Sequence, residues 1–261
     1  MSHVSDNPWR GALHTRFRGQ PTPLLVMPDA LWTAASLWAG TRAWTTAFRS
    51  MELAAGDVVS CALPAGPAFV QVLLACLWEN LTFTPCDMNF DASMHGNAST
   101  GSRLLIAAAH DSLISGVPVL VPDPACQPPA LLPALARGPT ATPGIALRCA
   151  DRDAGAANTW SAVSLLAAAR SVAGAHRMEG GCVLSVLPWQ RAADVIGDVL
   201  GPLLHADELL VARDMSLQTT LQLAQEHPVT HIGLDAATVD AWRAAPEGRS
   251  LLDRLVVRIS Q

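Results

Sequence analysis

The sequence predicts an α/β protein: a layered α/β/α arrangement of wound, mostly parallel sheets. Three observations carry this expectation. Short runs of β-branched and apolar residues alternate with Ala/Leu-rich helical stretches along the chain, the signature of strand–helix–strand winding. Half of the 261 residues are hydrophobic and only 15% are charged, which is a packed globular composition rather than a disordered one. A Pro-rich stretch over 122–143 breaks the alternation and marks the boundary between two expected subdomains, 1–140 and 141–261.

Taken in order, strands are expected over 24–27, 58–62, 104–107, 119–121, 145–148, 183–186, 209–211, 231–233 and 255–258. A helix is expected over 31–51, because Leu31, Ala34, Ala35, Trp38, Arg42 and Phe48 recur at near-helical spacing, with Trp32 and Trp44 widening the apolar surface. Residues 68–79 are apolar all round, so a buried helix is expected there.

All 17 basic residues are arginine, and tyrosine is absent. Arginine keeps its proton, so the chain has no side-chain amine to act as base, nucleophile or Schiff-base former. A Walker-type phosphate loop closing on Gly-Lys-Ser/Thr is excluded. The formal charge of −5 comes without a basic stripe, which argues against nucleic acid. No window reaches the roughly 18 apolar residues of a membrane span. The polar N-terminus lacks a signal core, so a cytoplasmic protein is expected. The six cysteines (Cys61, Cys76, Cys86, Cys126, Cys149, Cys182) show no CxxC spacing and read as reduced thiols rather than a zinc site.

Several segments resemble the acyl-CoA synthetase and AMP-binding adenylation-domain family. Gly56-Asp57-Val58-Val59 through Leu63-Pro64, followed by Gly66-Pro67-Ala68-Phe69, is similar to that family's Gly-Asp-x-Val and Leu-Pro-Asn-x-x-x-Phe run, which leads into a buried helix. Residues 79–87 look like its Gly-Ala-x-x-x-Pro-x-Asp/Asn turn, and 102–107 like the next strand. Leu184 to Trp189 resembles its Leu-Pro-Leu-Phe-His helix start. Residues 200–211, 230–234 and 252–257 fit the steps after it. The resemblance implies the first two subdomains of the adenylate-forming large domain, and a chain shortened relative to that domain.

The family's chemistry does not follow the resemblance. Its Ser/Thr/Gly-rich loop, which cradles ATP phosphates through converging backbone N–H groups, falls here at Asp151, Arg152, Asp153, Gly155 and Asn158. One glycine and two aspartates replace the nest, and a carboxylate about 4 Å from a phosphate charge costs about 1 kcal/mol in water and several times more in a drier site. The family's histidine after the aromatic is replaced by Gln190-Arg191, and no lysine can serve as its catalytic lysine. No ATP, Mg²⁺ or CoA is therefore expected, and no catalytic residue is assigned. Trp189, Gln190, Arg191 and Asp194 are the candidates for lining the pocket that takes the acyl group in the family.

Other polar clusters have bland readings. The His205-Ala206-Asp207-Glu208 group fits a solvated helix-to-strand connection, and Asp111 beside His110 fits an N-cap. His227 and His231 lack a third metal ligand. The stretch Asp194–Asp198 with Arg191 fits a helical first turn. Cys149, between Arg148 and Arg152, has surroundings that lower a thiol pKa, against the usual burial of free cysteine.

The leading expectation is a non-adenylating relative with a regulatory, scaffolding or small acyl/aryl-binding role. A homodimer or protein partner would cover the face that a shortened fold leaves open. The alternative is an acyl-CoA-synthetase-like enzyme, or half of a split ligase, acting on a carboxylate or acyl thioester.

Overall fold

Two six-stranded sheets organise the chain in a computed structural model that describes residues 7–18, 23–86, 101–109, 117–135, 144–150, 157–212, 214 and 216–260. The first sheet has the order β6(Val119–Leu120), β5(Ser102–Ala107), β3(Val58–Ala62), β4(Thr82–Pro85), β7(Ile145–Ala150), β8(Ala157–Ser161). Its pairings are parallel except for the β7–β8 hairpin. The second runs β12(Val256–Ser260), β11(His231–Asp235), β9(Cys182–Ser185), β10(Glu208–Val211), β1(Pro23–Met27), β2(Ala30–Thr33). It is parallel except for the β1–β2 hairpin. Such winding buries strands on both faces, which is why most read as continuous apolar runs.

The described residues within 1–18, 35–166 and 190–192 form one compact unit, and those within 19–34, 167–189 and 193–261 form another. The sequence suggested a division at the Pro-rich stretch 122–143. In the structure β6 and β7, on either side of that stretch, lie in one sheet, while β1 and β2, far upstream, pair into the other. Sheet membership follows which strand edges need partners, and proline punctuation does not encode that.

The first unit is built around the helix α3(Pro67–Glu79). Every residue from Phe69 to Leu77 is buried, as an all-apolar helix requires. Pro67 starts it, where the missing N–H costs nothing. Asn80 ends it in the left-handed conformation (φ 59°), donating its N–H to the Cys76 carbonyl. The remaining carbonyls find a partner in the helix α1(Pro8–Phe17). The N-cap residue Asn7 accepts from the Trp9 N–H through Oδ1 at 3.0 Å and donates through Nδ2 to Leu77 O at 2.8 Å and Trp78 O at 3.1 Å. One side chain thereby caps the start of one helix and the end of another. Asp57 is likewise structural: it accepts from the Ala54 N–H at 2.8 Å and pairs with Arg103 at 2.5 Å.

Two elements differ from expectation. The helix expected over 31–51 is α2(Ala34–Ser50), and residues 30–33 are strand β2. The two-residue Pro28-Asp29 turn sets Met27 opposite Ala30, so β1 takes these residues as a strand partner before helical spacing can act. Leu31, counted as helical core by its spacing, is 66% exposed. Residues 82–85, read as part of a turn, form β4, entirely buried between β3 and β7. Pro85 is the last residue of that strand, and the Thr82 hydroxyl donates to Ile145 O at 2.8 Å.

In the second unit the two faces of the sheet separate by residue parity. Cys182, Leu184, Leu210, Ile232 and Leu234 pack with Leu223 of α7(Leu217–Glu226), Val239 and Trp242 of α8(Ala236–Ala244), and Leu251 and Leu252 of α9(Pro246–Leu252). The opposite face carries Ser185, Gly233, Arg258 and Ser260. There α5(Ala192–Asp194) leads into a π-helical segment, Val195–Leu200, and then into α6(Gly201–His205). Pro202 gives a physical reason for the widened turn: in an α-helix its ring would strike the carbonyl four residues back, and the Gly201 N–H instead reaches Ile196 O, five residues back. Among the described residues no helix is long and apolar enough to cross a membrane.

Gln71, fully buried on α3, lies against Gly40 of α2, and a Cβ at position 40 would come within 2.2 Å of its Cδ. Gly40→Ala is expected to lower stability by roughly 1–3 kcal/mol, the usual cost of overpacking. Adding Gln71→Ala should cost less than the sum of the single changes in urea unfolding. Strict additivity would mean the two residues do not share this contact.

Candidate functional site

Parallel sheets place ligand crevices beyond the carboxyl ends of their strands, where neighbouring connections leave toward opposite faces. In the second unit that condition is met at β9. Its connection leads to the face of the π-helical segment, while those of its neighbours β10 and β11 lead to α7 and α8 on the other face. Ser185 ends β9 and Trp189 follows it, so topology and sequence expectation select the same segment.

That position is filled by the chain itself. Trp189 is 2% exposed, and its indole Nε1 donates to Ser185 Oγ at 2.8 Å. Asp194 is also 2% exposed and accepts from the Ser260 hydroxyl at the end of β12. One helical turn on, Asp198 is 1% exposed and its Oδ2 lies 2.5 Å from Nη2 of Arg258. Arg258 and Ser260 are two residues apart on β12 and face the same way. Asp194 and Asp198 therefore meet, respectively, the hydroxyl of Ser260 and the guanidinium of Arg258 on the strand.

Two glycines make room for this ladder. A Cβ on Gly233, the register partner of Arg258, would come within 2.1 Å of Asp198 Oδ1, and one on Gly197 within 2.6 Å of the Arg258 guanidinium carbon. The Asp198–Arg258 contact is close, and among the described residues no other donor reaches either Asp198 oxygen. Burial therefore dominates its titration. The Asp198 carboxyl is pushed up from 3.8 to about 6, with Arg258 opposing the rise and Asp194 adding to it.

Beside the ladder, His231 on β11 is buried. Its Nε2 donates to the His176 carbonyl at 2.6 Å, and its Nδ1 lies 2.7 Å from the Thr230 hydroxyl. Burial, with Arg258 and His231 nearby, lowers the His176 pKa. A recess lined by His176, His231, Asp198, Gly233 and Arg258 is too narrow for a water molecule.

Of the other expected site residues, Gln190 is half-buried and Arg191 exposed. Asp151, Arg152, Asp153 and Gly155 lie outside the described residues, as do His110 and Asp111. Asn158 is exposed on the edge strand β8, opposite Cys149 of β7. Cys149 is 2% exposed and is not presented to solvent. Glu208 begins β10 with Oε2 3.7 Å from Cys182 Sγ, and burial beside this carboxylate pushes that thiol up to about 12. Among the described residues no group of three or more metal-ligating side chains converges. The sequence reading missed Arg258 and Ser260, which lie 60 and 66 residues from their partners Asp198 and Asp194. Alternation along 256–260 was the available signal, since it turns Arg258 toward the same face as Ser260.

The stability of the ladder has a pH signature. Arg258→Met removes the cation from a carboxylate that stays buried, and breaking such a pair costs about 3–5 kcal/mol. Without the guanidinium the Asp198 pKa rises further, so the loss should be largest near pH 8 and shrink by pH 5 as Asp198 takes a proton. Urea unfolding at both pH values measures this, and a loss independent of pH would contradict the pairing.

No protein-family model matches the chain, and no curated protein matches it by sequence. Solved structures do match in fold. Unliganded O-succinylbenzoate coenzyme A synthetase (MenE) from Bacillus subtilis superposes with a TM-score of 0.73 at 15% identity, covering 91% of this chain and 54% of that one. An artificially fused NpsA-ThdA adenylation–PCP di-domain from Klebsiella oxytoca gives 0.75 at 16%, covering 91% and 49%. The Klebsiella oxytoca NpsA N-terminal subdomain in complex with 3-hydroxyanthranilyl-AMSN gives 0.72 at 16%, covering 92% and 63%. The chain thus spans between about half and two thirds of the solved chains it matches. Its two mostly parallel sheets and their helices have the α/β fold of the N-terminal part of the adenylate-forming enzymes.

Proposed function

We propose that this chain is a non-adenylating protein on the adenylation-domain fold, serving a regulatory or scaffolding role. The observation that carries the reading is the end of β9. Where the topology calls for a ligand crevice, Trp189 is buried against Ser185, and the two nearby aspartates are engaged by β12. The sequence supports it independently: there is no lysine among the 261 residues, and two aspartates stand where the family places its phosphate loop. Such a module acts through protein contacts, with a second copy of the chain as the simplest partner.

The NpsA N-terminal subdomain was solved in complex with 3-hydroxyanthranilyl-AMSN, which makes that compound the natural probe. Calorimetry of this protein with it, and with ATP–Mg²⁺ in a parallel cell, should give no heat. Binding with a Kd near 1 μM, about −8 kcal/mol, would overturn the reading in favour of a ligase acting alone or as half of a split enzyme. Light scattering at micromolar concentration should report a dimer mass, and a monomer would remove self-association from the proposal.

A further inference from the structure

We propose that Thr230 and His231 form a proton-driven rotor. Neutral His231 carries its hydrogen on Nε2 and receives the Thr230 hydroxyl at Nδ1, and a proton arriving at Nδ1 turns that hydroxyl onto the Cys182 carbonyl.

His231 Nε2 lies 2.6 Å from the carbonyl oxygen of His176, just past the helix α4(Ala162–Ala175). A carbonyl oxygen has no hydrogen to give, so Nε2 holds one, and in the neutral ring Nδ1 is an acceptor. Thr230 Oγ1 has three polar neighbours. Nδ1 is 2.7 Å away, the Cys182 N–H donates to it at 2.9 Å, and the Cys182 oxygen lies at 3.0 Å. With one hydrogen, the hydroxyl serves either Nδ1 or the Cys182 oxygen. It serves the neutral ring, because the Cys182 oxygen already accepts from the Thr230 N–H at 2.9 Å, whereas Nδ1 would be left without a partner. Once protonated, Nδ1 becomes a donor. Oγ1 then accepts from Nδ1 and from the Cys182 N–H, and its own hydrogen passes to the Cys182 oxygen. A ring only 6% exposed can therefore change charge without losing a hydrogen bond, which removes the usual cost of an orphaned buried polar group.

Gly181 leaves the rotor its space: a Cβ there would come within 2.8 Å of Thr230 Oγ1 and 3.0 Å of His231 Nδ1. The proton thereby changes the link between the starts of β9 and β11, adding a second bond to the Cys182 oxygen. The charged and titratable groups lining the recess with His231 are Asp198 on the π-helical segment, Arg258 on β12 and the His176 ring. Glu208 of β10 stands beside the Cys182 thiol. Carboxylates favour the second proton on His231 and Arg258 opposes it. The rotor requires no ligand and stands apart from the proposed function.

Nitrogen-15 and carbonyl carbon-13 NMR of the full chain, followed through the His231 titration, reads both halves of the device. At high pH the ring should show its hydrogen on Nε2 and none on Nδ1. As the ring takes its proton, the Cys182 carbonyl signal should move with the same midpoint. Thr230→Val should weaken proton binding at His231 about tenfold, because the hydrogen bond lost from the charged ring is the stronger one, and should uncouple the Cys182 signal. Thr230→Ser should restore both. A neutral ring with its hydrogen on Nδ1 would overturn the rotor. So would a Cys182 carbonyl that does not follow the ring, a ring that takes no proton while the protein stays folded, or a coupled response that survives Thr230→Val. The first three are read on the unaltered protein and decide the matter if the valine variant does not fold.

Discussion

A charge buried beneath the edge strand β12 is the constraint around which the second unit is arranged. Asp198 and Arg258 are nearly out of water, and each would be intolerable there without the other. Keeping them together restricts other positions. Gly233 and Gly197 have no side chain because a Cβ would enter the space the pair occupies. The helix beginning at Ala192 widens into a π-turn before Pro202 and carries both Asp194 and Asp198 onto the strand. Ser260 extends the contact by donating to Asp194. The opposite face of the sheet is conventional apolar packing against α7, α8 and α9, so the chemistry of this unit is concentrated on one side.

The first unit is organised around a helix. It keeps that helix buried over two and a half turns, with carbonyls at its C-terminal end satisfied by the Asn80 N–H, in the left-handed conformation, and by the amide of Asn7. Its ion pair, Asp57 with Arg103, tethers the turn before β3. Gly56-Asp57, Asn80 and the Pro85 strand end are among the positions that carried the sequence resemblance, and each has a role in the fold. This explains how likeness to solved structures survives at 15–16% identity.

Much of this architecture was legible in the chain. All nine expected strands occur, and the buried helix begins within a residue of its expected start, because apolar runs and the all-apolar stretch 68–79 are local signals. The three strands that escaped are informative. β2 has helical-looking spacing but sits two residues from a partner strand. β4 is four residues long and ends in proline. β8, with Asn158 and Thr159 exposed, was read by resemblance as part of a loop. The site was legible only in half. Trp189 and Asp194 stood out locally, but their burial depends on Ser185, Arg258 and Ser260. The pairing of Asp198 with Arg258 joins residues 60 apart, and neither side announces its partner in sequence.

The fold shared with the solved synthetase and adenylation-domain structures here encloses a buried carboxylate, Asp198. At the end of β9, Trp189 is buried against Ser185, and the two nearby aspartates meet Ser260 and Arg258 of β12. The most direct measurement is a double-mutant cycle on Asp198→Asn and Arg258→Met, read by urea unfolding at pH 7.5. Mutual dependence of the pair predicts a coupling of about 2–3 kcal/mol, at the upper end for residues in contact. Additive losses within about 0.5 kcal/mol would contradict it, and the second unit would then have to be explained by apolar packing alone.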